Sequence, residues 1–281
     1  GRTGVFLDPA AAPWVGGPVM LRACDIVARI GKKEILHGVD FTANAGALTA
    51  IVGPNGSGKS TLLKAITAEV DFTGRILLNG ENVADLHPWE LAAMRAVLPQ
   101  SATLAFPFTV AEVVRMGLRR GISGHRDDIP ARALHAVGLE GYADKLYQEL
   151  SGGEQQRTQL ARVLCQVWHP VQNGLPRWLL LDEPVASLDI GHQLMVMRLL
   201  KDFANRGGGV VAVMHDLNLS AMFADHMAMI KDGQILKHGA PADVMQNAIL
   251  SQAYGCTLTV NTPAAAGQSY ILPHVAQERM G

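Results

Sequence analysis

Leu48-Thr49-Ala50-Ile51-Val52-Gly53-Pro54-Asn55-Gly56-Ser57-Gly58-Lys59-Ser60-Thr61 is the stretch on which the reading of this chain turns. Its first five residues are short and apolar enough for a buried strand. A loop with glycines at 53, 56 and 58 follows, and then the helical pattern of residues 59–68. Strand, glycine-rich loop and helix form the context that G-x-x-x-x-G-K-[ST] requires. Glycines let backbone N–H groups crowd around phosphate oxygens, and the helix start adds partial positive charge. Gly53, Pro54, Asn55, Gly56, Ser57, Gly58, Lys59, Ser60 and Thr61 are therefore expected to bind nucleotide phosphates. Lys59 is expected to contact the β- and γ-phosphates, and the Ser60 hydroxyl to ligate Mg2+.

Further along, Trp178-Leu179-Leu180-Leu181-Asp182-Glu183 is an apolar strand ending in paired carboxylates. At a strand end facing the phosphate loop, Asp182 is expected to hold Mg2+ and Glu183 to act as general base on water. Alone this would be an ordinary buried strand with solvated acids; the phosphate loop gives it weight. From here the pattern alternates: strand 178–182, helix 191–205, strand 210–214, helix 217–224, strand 227–231. Upstream, 21–30 and 34–42 read as strands joined by Gly31-Lys32-Lys33, and 75–78 as a strand before an Asn79-Gly80 turn. Between about 100 and 160 helical patterns dominate. Thr109-Val110-Ala111-Glu112 is a capping box opening one helix, and 129–137 reads as another. The order is that of an α/β core with a helical insertion. Residues 1–19, rich in Gly, Ala and Pro, lack the order of a signal peptide and read as a flexible extension. Residues 256–281 read as a tail with short strands.

The 281 residues are 48% hydrophobic and 17% charged, which supplies a sizeable core. A formal net charge of -1 gives no general attraction to nucleic acid. Cys24, Cys165 and Cys256 are far apart, with no zinc or disulfide spacing. No apolar run approaches the ~20 residues that span a bilayer, so any membrane role needs another chain.

Leu150-Ser151-Gly152-Gly153-Glu154-Gln155 is the most discriminating segment. Ser151 and Glu154 make a second capping box, and the two glycines leave N–H groups bare at a helix start, a place for anions. Followed by Gln156-Arg157, this segment resembles the signature of ATP-binding cassette (ABC) ATPases. The resemblance implies a P-loop NTPase core of ABC type with an N-terminal antiparallel β subdomain and an inserted α-helical subdomain, spanning 20–255. It also implies that Ser151, Gly152, Gly153, Glu154 and Gln155 face ATP held by a second copy, so that a homodimer completes two sites. Gln100 is then expected to reach Mg2+ and the attacking water, and His215 to contact the γ-phosphate. Ser187 and Asp189 take the place of the loop that crosses the dimer interface. Ile30 stands where the family usually carries an aromatic residue against adenine, so no aromatic stack is expected; Arg29 is a neighbour that could cover the base.

Similarity is greatest to importer subunits for haem, siderophores and vitamin B12. Arg95-Ala96-Val97-Leu98-Pro99-Gln100, Ala105-Phe106-Pro107-Phe108-Thr109-Val110 and Gln159-Leu160-Ala161-Arg162-Val163-Leu164 point to the hemin import ATP-binding family, as does the spacer from Trp168-His169-Pro170 to Gly174-Leu175-Pro176-Arg177. The implied role is ATP hydrolysis with Mg2+ at the cytoplasmic face of a bacterial inner membrane. The implied partners are a transmembrane permease dimer, with 104–108 as a docking stretch, and indirectly a periplasmic haem-binding protein. Siderophore or vitamin B12 import is the alternative, and a soluble ABC ATPase outside transport the weaker one.

Overall fold

The computed structural model describes residues 20–100, 106–120, 128–264, 268, 269 and 271. The expected extension 1–19 lies outside them. The chain opens with the antiparallel pair β1 (Met20–Ile30) and β2 (Lys33–Asn44), then β3 (Leu48–Val52), α1 (Lys59–Ile66), β4 (Phe72–Leu78), β5 (Glu81–Asn82), α2 (Pro88–Met94) and β6 (Arg95–Leu98). Helices α3 (Val110–Arg120), α4 (Ile129–Ala136) and α5 (Gly152–Gln166) follow, and a small hairpin, β7 (Val171–Gln172) and β8 (Leu175–Pro176). The last part alternates through β9 (Trp178–Asp182), α6 (Ile190–Asn205), β10 (Gly209–Val213), α7 (Leu217–Phe223) and β11 (His226–Lys231) to β12 (Gln234–Gly239), α8 (Pro241–Val244) and α9 (Asn247–Tyr254).

Every residue of β3, β9 and β10 is buried, which is why these strands read as unbroken apolar runs. They sit inside a sheet ordered β12-β11-β3-β10-β9-β6, parallel except for β12 at its edge. The pleat sends alternate residues to opposite faces. Leu48, Ala50, Leu179, Leu181, Val210 and Ala212 join a core shared with α3, α4, α5 and α6. Ile51, Trp178, Leu180, Val211 and Val213 join a second core shared with α1 and the other sheet.

That other sheet is antiparallel, ordered β2-β1-β4-β5. Leu21, Ile26, Phe41, Ile76 and Leu78 bury its inner face against Leu62, Leu63, Ala65 and Ile66 of α1. The helix behind the phosphate loop is therefore clamped between two sheets. Both expected capping boxes form. The Thr109 N–H donates to Glu112 Oε2 at 2.7 Å, and the Ser151 N–H donates to Glu154 Oε2 at 2.8 Å.

Several expectations need correction. The strands expected in 256–281 do not form among the described residues of that stretch. The N–H groups of Leu258 and Val260 donate instead to Ser251 Oγ (2.9 Å) and Asn247 Oδ1 (2.7 Å) on α9, so side chains replace a strand partner. The first long helix ends at Ile66 rather than 68, because Ala68 turns to φ +53°. Strands β6 and β12, at the sheet edges, were not anticipated. No helix among the described residues is long and apolar enough to cross a membrane.

Two buried arginines differ in a way that tests this packing. Arg95 donates from Nη1 to Ile66 O (2.8 Å) and from Nη2 to Thr67 O (2.7 Å), closing the exposed carbonyls at the end of α1. Burial pushes its pKa down to about 10. Arg177 is also buried, yet neither Nη1 nor Nη2 has a hydrogen-bond partner among the described residues. Arg95→Met should lower unfolding free energy in denaturant titrations by about 2–4 kcal/mol, because charged hydrogen bonds are lost and carbonyls are left bare. Arg177→Met should cost less than about 1 kcal/mol or stabilise, since it removes an uncompensated buried charge. Equal losses in the two variants would contradict this assignment.

Candidate active site

Backbone crowding fixes the phosphate loop. Gly53 has φ +150°, and a Cβ there would lie 2.1 Å from the Ile230 carbonyl oxygen of β11. Only glycine permits that approach. The Gly233 N–H, in the β11–β12 turn, donates to Ser57 O at 2.9 Å, and Gly233 O accepts from the His37 N–H of β2 at 3.0 Å. The turn thus joins the loop to both sheets.

Lys59 Nζ donates to the carbonyls of Gly53 and Pro54, each at 2.9 Å. Burial lowers its pKa, while Glu183 and then Asp182 favour its charged form. Ser60 Oγ donates to Asp182 Oδ1 at 3.1 Å, so the residues expected to hold Mg2+ meet although 122 positions apart. Asp182 is held above its ordinary 3.8, first by burial and also by the Glu183 charge, against the lowering effect of the Ser60 hydrogen bond.

Glu183 carries φ +54°, a strained setting for a residue with a side chain. Its Oε1 accepts from Gln100 Nε2 at 3.0 Å and lies 2.6 Å from His215 Nε2. Gln100, Glu183 and His215 thus form one cluster. Together with Ile30, Lys33, Ile35, Asn55, Gly56 and the run from Gly58 to Thr61 they line a cleft of about 830 Å³. Ile30 is 54% exposed at its rim, an aliphatic surface where an aromatic ring would be usual. Arg29 is paired with Glu34 at 2.8 Å, and Ile30 and Ile35 are the apolar residues of the cleft lining.

The side chains fit a Mg2+–nucleoside triphosphate. Among the described residues, buried Ser57 Oγ has no hydrogen-bond partner, and it sits in the glycine-rich loop. Ser60, Asp182 and Gln100 supply oxygen donors, the kind a hard cation prefers. No cluster of three or more His, Cys, Asp or Glu suited to a metal occurs among the described residues. An ion held by one carboxylate and completed by phosphate oxygens suits this set.

Ser151, Gly152, Gly153, Glu154, Gln155, Ser187 and Asp189 do not line this cleft. Ser151 and Gly152 are exposed at the start of α5, and a Cβ on Gly152 would meet nothing within 4 Å. Glu154 is held below its ordinary value, mainly by the Ser151 N–H. Asp189 caps α6, accepting from the His192 N–H at 2.9 Å. Sequence reading missed Gly233 and Gln156. Gly233 acts through its own backbone and Gln156 through its carboxamide, each on backbone atoms remote in sequence, which no local motif announces.

A family model described as "ABC transporter" matches residues 36–186. The chain belongs to the ABC transporter family. A relative from Roseobacter denitrificans named hemin import ATP-binding protein HmuV is 61% identical over 91% of this chain and 98% of its own length. One of the same name from Jannaschia sp. is 58% identical over 93% and 97%. Among solved structures, a bacterial Atm1-family ABC exporter with ATP bound matches at TM-score 0.72 and 26% identity. It covers 88% of this chain, which spans 43% of that chain's length. A dimeric post-hydrolysis state of the ATP-binding cassette MJ0796 bound to ADP and Pi matches at TM-score 0.69 and 27% identity, over 79% of this chain and 98% of that one.

Asp182 gives a test of the site's electrostatics. A carboxyl whose native pKa lies above its unfolded value loses stability as pH rises through that interval, so at neutral pH the full cost is present. Asp182→Asn, which keeps the Oδ1 acceptor for Ser60, should raise the melting temperature of the nucleotide-free protein at pH 7 while Mg2+-dependent ATP hydrolysis collapses. A lower melting temperature would show that the charge is not a burden there.

Proposed function

We propose that this chain is the ATP-hydrolysing subunit of an ABC importer that drives hemin across a membrane through a partner permease. The observation carrying the hydrolytic part is the convergence on Glu183 Oε1 of Gln100 Nε2 at 3.0 Å and His215 Nε2 at 2.6 Å, beside Lys59 and Ser60. Glu183 is the group able to take a proton from water at the cleft floor. Gln100 and His215 orient its carboxylate, and Lys59 with the loop N–H groups receives the phosphates. Mg2+, when bound, supplies charge neutralisation at the phosphates, with Ser60, Asp182 and Gln100 as its protein ligands.

Ser151 and Gly152 of the signature, with Ser187 and Asp189 beside them, are exposed in one copy, which supports a head-to-tail homodimer in which each copy completes the other's site. The hemin assignment rests on the relatives of that name at 61% and 58% identity, each matched over nearly its whole length. The permease places the subunit at the inner face of a bacterial membrane, served outside by a haem-binding protein. Of the expected docking stretch, Leu104 and Ala105 lie outside the described residues. Phe108 is half-buried against the core, while Phe106 is 67% exposed and free to meet a partner.

Glu183→Gln should retain ATP binding, slow hydrolysis by about 10²-fold or more and accumulate an ATP-bound dimer visible by gel filtration. An unchanged turnover rate would remove Glu183 as the base. Reconstituted with its genomically adjacent permease in liposomes, the chain should drive ATP-dependent uptake of hemin in preference to ferric siderophore or cobalamin. Uptake of either control instead of hemin would replace the substrate assignment.

A further inference from the structure

Gln156 lies on α5, five residues beyond the Ser151 cap, and its carboxamide is used at both ends. Nε2 donates to the Glu183 carbonyl at 2.7 Å, and Oε1 accepts from the Ser187 N–H at 3.2 Å. The orientation is fixed by chemistry, because a carbonyl can only accept and an N–H can only donate. One side chain from the helical subdomain therefore holds the backbone of the expected base and the loop expected to meet the second copy.

The Glu183 backbone needs such a hold. Its φ of +54° persists only where neighbours enforce it. On one side its N–H donates to Val213 O of β10 at 3.2 Å; on the other its carbonyl takes the Gln156 bond. Close packing reinforces the second tie. A Cβ on Gly153, one helical turn before Gln156, would lie 3.1 Å from Ser187 O, so the start of α5 rests directly on that loop. A shift of α5 relative to the central sheet would break both Gln156 bonds together.

We infer that Gln156 is a positioning residue that makes the setting of the Glu183 carboxylate depend on the position of α5, so that hydrolysis responds to movement of the helical subdomain. This inference rests on the reading of Glu183 as general base. Gln156 touches no substrate; it acts through Glu183 and Ser187.

The test is steady-state ATP hydrolysis by the full chain with Mg2+, comparing Gln156→Met, Gln156→Glu, Glu183→Gln and the Gln156→Met/Glu183→Gln double variant. Gln156→Met removes both bonds. Gln156→Glu keeps an acceptor for Ser187 but sets a carboxylate against the Glu183 carbonyl, so a role confined to the Ser187 loop would leave it active. Both single variants should lose on the order of ten- to a hundred-fold in kcat, as small misplacements of catalytic groups do. KM for ATP should stay within about two-fold, because the phosphate loop is untouched. Adding Gln156→Met to Glu183→Gln should cost nothing further. Independent losses in the double variant, a rise in KM matching the fall in kcat, or near-normal kcat in Gln156→Glu would each overturn the inference. Should Gln156→Met fail to fold, the length-conserving Gln156→Glu carries the test. Normal turnover by Glu183→Gln alone would instead remove the general-base reading beneath it, whereas slow Glu183→Gln with fast Gln156 variants overturns the coupling and leaves that reading standing.

Discussion

The site depends on a contact between backbones: the approach of Gly53 to the Ile230 carbonyl, where a Cβ would stand 2.1 Å from oxygen. Gly233 repeats the device on the far side of the turn, where a Cβ would lie 2.0 Å from Ile35 O. With the bonds from Gly233 N–H to Ser57 O and from His37 N–H to Gly233 O, these contacts weld the phosphate loop, the central sheet and the antiparallel sheet together. Interiors packed at crystal density do not deform continuously, so the loop's N–H groups are set before any ligand arrives. Donors fixed in advance need no reorganisation when charge develops on phosphate.

Legibility in the sequence followed from how local each cause is. The phosphate loop, the paired carboxylates and the capping boxes are short-range chemistry, and a run of adjacent residues states them in full. The buried strands β3, β9 and β10 were equally plain, because burial on both faces leaves no polar residue to interrupt the pattern. Edge strands are different. β12 mixes Gln234, Lys237 and His238 with Ile235 and Leu236, and its pairing with β11 decides its conformation more than its own composition does. The strands expected in 256–281 fail for the converse reason at Leu258 and Val260, whose N–H groups are satisfied by Ser251 and Asn247 on α9. The role of Gln156 could not be read at all, since its partners lie 27 and 31 positions away and one of them is a bare carbonyl.

On the proposed reading, the adjacent carboxylates Asp182 and Glu183 receive separate work. Asp182 is the last residue of β9, buried, and engaged by Ser60 from the phosphate loop. Glu183 leaves the strand through a left-handed residue that turns its side chain toward Gln100 and His215. A continued strand would have sent the two side chains to opposite faces of the sheet. The strained dihedral brings the Glu183 carboxylate into the cleft beside the Ser60 that engages Asp182, and its cost of roughly 1–3 kcal/mol is borne by the packing around it. The burial that disfavours charge on Asp182 fits the proposed role of holding a cation.

The proposed pairing of two copies follows from what one copy leaves unused. The start of α5 is exposed, bears adjacent glycines, and carries its capping pair Ser151 and Glu154 on the same surface, away from the cleft of its own chain. Helix starts of this kind favour anions; here Glu154 takes up the Ser151 N–H, and the exposed glycine leaves room for a phosphate brought by another molecule. Gln156 then gives that arrival a consequence. Phosphate delivered to the α5 terminus by a second copy would pull on the same helix whose Gln156 holds the Glu183 carbonyl. Closure of the pair and setting of the base would become one mechanical event, which is the property a transport ATPase needs if ATP is to be spared until the partners are engaged.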